Sequence, residues 1–129
     1  MFKDLRPEAV REAAQRIASH VVRTPLIKSA PLSRLAGGDV YLKLENRQIT
    51  GSFKLRGALN ALATLALDSR RGVVASSAGN HGLGVAYAAK VLGVPAKIFV
   101  PSTAPDVKKS GIRALGATLS FVQGHDTQS

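Results

Sequence analysis

Apolar positions along this chain follow two alternating periods. Over 7 to about 20, Ala9, Val10, Ala13, Ala14 and Ile17 fall on one face of a helix, with Pro7 in the first turn, where its missing N–H is harmless. Thr24-Pro25-Leu26 breaks that pattern. Val40-Tyr41-Leu42-Lys43-Leu44 alternates as a strand does, a polar loop covers 45–52, and a helix is expected over 53 to about 67. The apolar run 72–76 reads as a buried strand, and 80–92 as a helix stopped by Gly93 and Pro95. The cycle then repeats, with a strand over 96–100, a helix over 105–115 stopped by Gly116, and a strand over 117–122. Residues 124–129 read as a loop leading into a helix that Asp126 or Thr127 would cap.

Strands alternating with helices of roughly 10–15 residues imply right-handed crossovers. The expected architecture is therefore α/β, a doubly wound parallel sheet with helices on both faces. Ligands of such sheets bind outside the carboxyl ends of the strands, where the 45–52 and 76–80 loops would both fall. At 129 residues, with 45% apolar and 20% charged positions, one soluble domain is expected. The absence of cysteine excludes a disulfide framework, a zinc ribbon and a thiol nucleophile. The first residues are charged and lack a signal-type apolar core, and no segment approaches the roughly 18 apolar residues of a membrane span. No membrane partner and a cytoplasmic location are expected.

The net charge of +10 raises nucleic acid as a partner. Its basic residues are scattered, however, the longest runs being Arg70-Arg71 and Lys108-Lys109, and only 5% of residues are aromatic. Without stacking platforms or a clustered basic face, nucleic-acid binding is disfavoured. A non-catalytic basic module that binds an anionic partner remains the alternative from another class.

Two loop-to-helix junctions carry candidate chemistry. Thr50-Gly51-Ser52-Phe53-Lys54-Leu55-Arg56-Gly57 places a serine, a lysine and an arginine at a helix start, where backbone N–H groups and the dipole favour anions. Ser76-Ser77-Ala78-Gly79-Asn80-His81-Gly82 is a strand-to-helix turn of small residues that a ligand can approach closely. Neither is a Walker A loop, and no G-x-G-x-x-G occurs, so nucleotide binding loses its main support. His20, His81 and His125 are too scattered for a metal site, and none is expected.

Together, Lys43-Leu44-Glu45-Asn46-Arg47-Gln48-Ile49-Thr50-Gly51-Ser52-Phe53-Lys54-Leu55-Arg56-Gly57-Ala58 and Ser77-Ala78-Gly79-Asn80-His81 resemble the fold type II pyridoxal-phosphate enzymes, in their threonine/serine dehydratase branch. The resemblance runs from Arg23-Thr24-Pro25-Leu26 to Leu115-Gly116-Ala117, most of the chain. It implies that Lys54 carries pyridoxal 5'-phosphate and is the catalytic base. It also implies that Asn80 hydrogen-bonds the phenolic oxygen of the ring, that Phe53 packs near the ring, and that Ser77, Ala78, Gly79 and His81 hold the substrate carboxylate. Asn80 as a helix cap is the rival reading of that residue. The implied reaction is β-elimination from L-threonine or L-serine to a 2-keto acid and ammonia. A lysine at the reference pKa of about 10.4 is neutral in only about one molecule in 2,500 at pH 7, so such a role calls for desolvation or cationic neighbours. Arg56 and the helix N-terminus are the candidates.

Cysteine synthase-like members carry Asn-Pro and Lys-Asp-Arg around the lysine, where this chain has Gln48-Ile49-Thr50 and Lys54-Leu55-Arg56. Serine racemase-like members place a serine directly before the Gly-Asn pair, and here that residue is Ala78. Elimination is therefore favoured over β-replacement and racemisation. The glycine-rich phosphate loop and the partner of the pyridine nitrogen lie further downstream in the family, and neither is found in these 129 residues. The resemblance thus implies that 1–129 is the amino-terminal part of a dehydratase-like domain. The downstream half and the contacts of the family's homo-oligomer are absent, and little activity is expected from the chain alone.

Overall fold

A computed structural model describes residues 6–65, 71–77 and 79–122. Helix α1 (Pro7–Ile17) starts on Pro7 and runs into a 3-10 turn, Ala18–His20. Of its apolar stripe only Ile17 is buried, and Val10 is 65% exposed. The helix packs on α3 (Lys54–Thr64), where the Arg16 guanidinium donates to the Asn60 amide oxygen.

The segment after Pro25 holds two elements that periodicity does not reveal, β1 (Leu26–Lys28) and α2 (Ala30–Ala36). Three residues are too few to show a period. Helix α2 nevertheless has local signals: the Ser29 hydroxyl accepts from the Leu32 N–H, and Gly37 ends the helix at φ 67°. β1 pairs antiparallel with β2 (Tyr41–Lys43) in a separate two-stranded sheet. Ser29 N–H to Val40 O and Leu44 N–H to Pro25 O extend this ladder. The strand expected over 40–44 thus lies outside the parallel sheet, because β1 satisfies its hydrogen bonds. The 45–52 loop does not leave the parallel sheet's edge as expected, and it reaches the site through α3 instead.

β3 (Val73–Ser76), β4 (Ala96–Pro101) and β5 (Thr118–Val122) form the parallel sheet in that order, connected by α4 (Asn80–Leu92) and α5 (Asp106–Ala114). This is the helix-flanked parallel sheet that the alternation implies, but α4 and α5 join consecutive neighbouring strands and so lie on one face, not on both as expected. Leu55 and Leu59 of α3, Ile98 and Val100 of β4 and Ile112 of α5 are its fully buried large side chains. Burial of each stabilises the fold by about 1.5–3 kcal/mol. Val73, Ala75, Ile98, Val100, Ala117 and Leu119 meet the helices on one face of the sheet, while Val74, Ser76 and Lys97 on the other face are exposed. No described helix is long and apolar enough to cross a membrane.

Helix α4 lies at the centre and is built for close approach. Its buried residues are Gly82, Gly84, Val85, Ala86, Ala88 and Ala89. A Cβ at Gly84 would lie 3.2 Å from Lys54 C and Leu55 N, so α3 is seated backbone-first on the second turn of α4. The amino-terminal turns of the two helices are thereby brought together.

Candidate active site

Local chemistry explains why α3 starts at Lys54. Gly51 turns the chain at φ 71°, a left-handed conformation that favours glycine, and its N–H donates to Gln48 O at 2.7 Å. The buried Ser52 hydroxyl then accepts from Lys54 N–H at 3.2 Å. The Lys54 ammonium lies 4.9 Å from the centroid of the exposed Phe53 ring and has no carboxylate within ion-pair distance among the described residues. Within the loop, the Thr50 hydroxyl is buried with no hydrogen-bond partner among the described residues. An unsatisfied buried group of this kind costs about 1–3 kcal/mol, so its retention points to a ligand or water.

The second junction follows β3. Ser77 N–H donates to Phe99 O at 2.9 Å, and the Ser77 hydroxyl accepts from Gly79 N–H at 3.2 Å. Asn80 is the first residue of α4 and does not cap it: Gly79 occupies the cap position, with no side-chain cap bond. The Asn80 amide oxygen instead accepts from the Lys108 ammonium of α5 at 2.6 Å. The Asn80 amide N–H groups then have no hydrogen-bond partner among the described residues. His81 is exposed and borders a cavity of about 260 Å³ with Ala58, Leu62, Val73 and Val85. Ala78 and residues 124–129, including His125, lie outside the described residues.

Around Glu45 sits a cluster that the motif reading passes over. The Arg56 guanidinium grips the Glu45 carboxylate with two bonds, Nε at 2.9 Å and a terminal nitrogen at 2.8 Å. The Thr24 hydroxyl donates to the same carboxylate at 2.5 Å, and Arg56 also donates to Val22 O at 3.1 Å. The buried Gln48 amide pairs with the Val22 backbone, accepting and donating at 2.9 Å. Arg56 is therefore not the cationic neighbour of Lys54 that the sequence suggested. Residues two apart project from nearly opposite sides of a helix, and the Arg56 charge is matched by Glu45. The signal available in sequence was an acid and a base flanking one loop, eleven positions apart.

The Arg56 guanidinium, opposed by burial but aided by Thr24, holds the Glu45 carboxyl down from 4.5 to about 2. A depressed carboxyl contributes stability that is full above its unfolded value and lost as pH falls through the folded one. We expect the melting temperature to drop between about pH 4.5 and 2, by the equivalent of about 2 kcal/mol after allowance for solvent screening. Glu45→Gln should flatten that part of a melting-temperature profile against pH.

The first turn of α3, whose amine has no ion-pair partner among the described residues, thus rests on α4 one turn beyond Asn80, whose amide oxygen is held by Lys108. Residues 17–129 match the sequence profile of the family described as pyridoxal-phosphate dependent enzyme. The chain belongs to that family. The chain is similar to the L-threonine ammonia-lyase of Thermotoga maritima, with 51% identity over 87% of this chain and 28% of that protein. It is also similar to the catabolic L-threonine dehydratase of Staphylococcus aureus, with 48% identity over 85% and 32%. The chain therefore spans about a third of the length of these curated relatives. Among solved structures, the serine racemase of Dictyostelium discoideum superposes with a TM-score of 0.85 at 41% identity, covering 90% of this chain and 38% of that one. The tomato (Solanum lycopersicum) threonine deaminase isoform 2 gives 0.75 at 34% identity, covering 92% and 34%.

Pyridoxal phosphate, the cofactor of this family, suits the donor set of these two turns. An aldehyde needs a primary amine not already tied up in an ion pair, and Lys54 would be one, having no ion pair among the described residues. A ring with an anionic oxygen needs a donor, which the Asn80 amide provides with its own oxygen occupied by Lys108. The Thr50 hydroxyl, without a partner among the described residues, would be a further donor in the lysine loop.

Proposed function

We propose that this chain carries the lysine-bearing part of a pyridoxal-phosphate-dependent lyase, which converts L-threonine or L-serine to a 2-keto acid and ammonia by β-elimination. The observation that carries the reading is the Lys54 amine, exposed and without an ion-pair partner among the described residues, at the start of α3, where the 54–55 backbone rests on the second turn of α4. The names of relatives at about 50% identity support the choice of reaction and substrate. Their greater length supports the reading of 1–129 as the amino-terminal part of such a domain.

Bound through Lys54, the cofactor supplies an electron sink for negative charge at the substrate α-carbon. Lys54 would hold it there, and its freed Nζ would be the base for the substrate α-proton. Asn80 would donate to the phenolic oxygen, and Phe53 would pack near the ring. Ser77, Ala78, Gly79 and His81 receive the substrate carboxylate, with the backbone N–H groups of the α4 start as the natural donors. The β-hydroxyl departs as water, and uptake of water then releases ammonia and the keto acid.

The serine racemase likeness raises the alternative of racemisation. Reprotonation from the opposite face needs a second acid, and Ala78, directly before Gly79-Asn80, has no group that exchanges a proton. An absorbance titration tests the proposal: pyridoxal phosphate is added to the chain, followed by L-threonine, L-serine or D-threonine, with assays for keto acid and D-serine. Weak cofactor absorbance that shifts with the L-amino acids, and little keto acid from the chain alone, is the expected result. No dependence on L-amino acid, or formation of D-serine, would contradict the lyase reading. A stable band with steady keto-acid release would overturn the expectation of low activity.

A further inference from the structure

We propose that the Glu45–Arg56 ion pair is a positioning device that sets the direction in which Lys54 leaves its helix. This rests on the reading of Lys54 as the cofactor-bearing lysine. The Lys54 side chain makes no hydrogen bond among the described residues and only skirts the Phe53 ring, so its aim is inherited from the backbone of the first turn of α3.

That turn is fixed at three points. Ser52 holds the Lys54 N–H, the absent side chain of Gly84 lets the 54–55 backbone rest on α4, and Arg56 anchors the far side. The third point has the longest reach. Through Glu45, Thr24, Gln48 and Val22, Arg56 joins the first turn of α3 to the 45–48 turn and to the segment that follows α1. A two-bond arginine–carboxylate grip fixes orientation as well as distance, which a single bond or a bare charge does not. Thr24 is 3% and Gln48 4% exposed, so water competes poorly for the bonds that these two make to Glu45 and to Val22. Arg56 itself points away from Lys54 and acts on the backbone of the turn without touching the amine.

The test captures pyridoxal phosphate on the 129-residue chain with borohydride and measures, by peptide mass spectrometry, labelling of Lys54 relative to the other lysines. Variants are Glu45→Gln, Arg56→Lys and, as a control for general loss of stability, Val100→Ala in the core, each assayed well below its melting temperature. Glu45→Gln is expected to reduce Lys54 selectivity by about tenfold or more, in line with the sensitivity of reacting groups to small misplacement. Arg56→Lys, which keeps the charge but loses the fork, falls between it and the parent, and Val100→Ala keeps parental selectivity. Parental selectivity in Glu45→Gln, or a loss no greater than in Val100→Ala, would overturn the proposal. If Glu45→Gln does not fold, Arg56→Lys decides by the same criterion. A parent chain with no preference for Lys54 would remove both this proposal and the functional reading, whereas a selective parent with unaffected variants removes only this one.

Discussion

Lys54→Ala is expected to abolish the visible absorbance that pyridoxal phosphate gains on the chain, while leaving the thermal melt within about 0.5 kcal/mol of the parent. The side chain is exposed, forms no ion pair among the described residues, and its backbone bond to Ser52 survives the substitution. Alanine is also a better helix former, which offsets loss of the contact with Phe53, worth about 0.5–1 kcal/mol at an exposed site. This separation of binding from stability gives the variant its value. A lysine that merely solvated the surface would leave cofactor absorbance unchanged, since exposed lysines elsewhere on the chain would react equally well. Difference spectra of the two proteins at equal cofactor concentration check it.

Gly82→Val should have the largest effect on folding. A Cβ at Gly82 would lie 2.9 Å from Ser77 O, 3.2 Å from Ile112 Cδ1 and 3.3 Å from Ile98 Cγ2. Ser77 O is main chain, and both isoleucines are fully buried, so nothing there can swing aside. Overpacking of this kind costs about 3 kcal/mol, equivalent to a melting temperature lower by about 10 °C in a domain of this size. Because the strain falls on Ser77, the substrate-side loop should shift as well. Gly57→Ala in α3, where the added Cβ would meet no described atom within 4 Å beyond its chain neighbours and its own helix backbone, is the matching control and should melt at or slightly above the parent. Circular dichroism melts of the two variants check the contrast.

The parts of this fold that sequence reveals are those with enough residues to show a period and a chemical stop. α4 is framed by the Gly79-Asn80 turn and by Gly93, and β4 by Pro95 and Pro101, so their bounds agree with the pattern to within a residue. β1 and α2 escape it because a strand of three residues and a helix of seven carry too few positions to define a face. The pairing of β2 with β1 instead of with the parallel sheet is a long-range choice that alternation within 40–44 does not encode.

At the site, the two loops were legible as motifs and their junctions as helix starts. The partners of individual side chains were not. The rival reading of Asn80 as a cap fails, since Gly79 takes that position and Lys108, 28 residues later, holds the amide. Arg56 looked like a neighbour of Lys54 because it is close in sequence, but helical geometry turns it toward Glu45. Thr24 and Gln48 owe their places to contacts spanning more than 20 residues, so nothing local marks them.

The central claim is that one lysine among many on a strongly basic chain is chemically singled out by the fold. Borohydride reduction of the chain with limiting pyridoxal phosphate, followed by peptide mapping, tests it most directly. The pyridoxyl mass is expected predominantly on the peptide containing Lys54. An adduct spread over Lys97, Lys108, Lys109 and the remaining lysines, with no preference for Lys54, would contradict it.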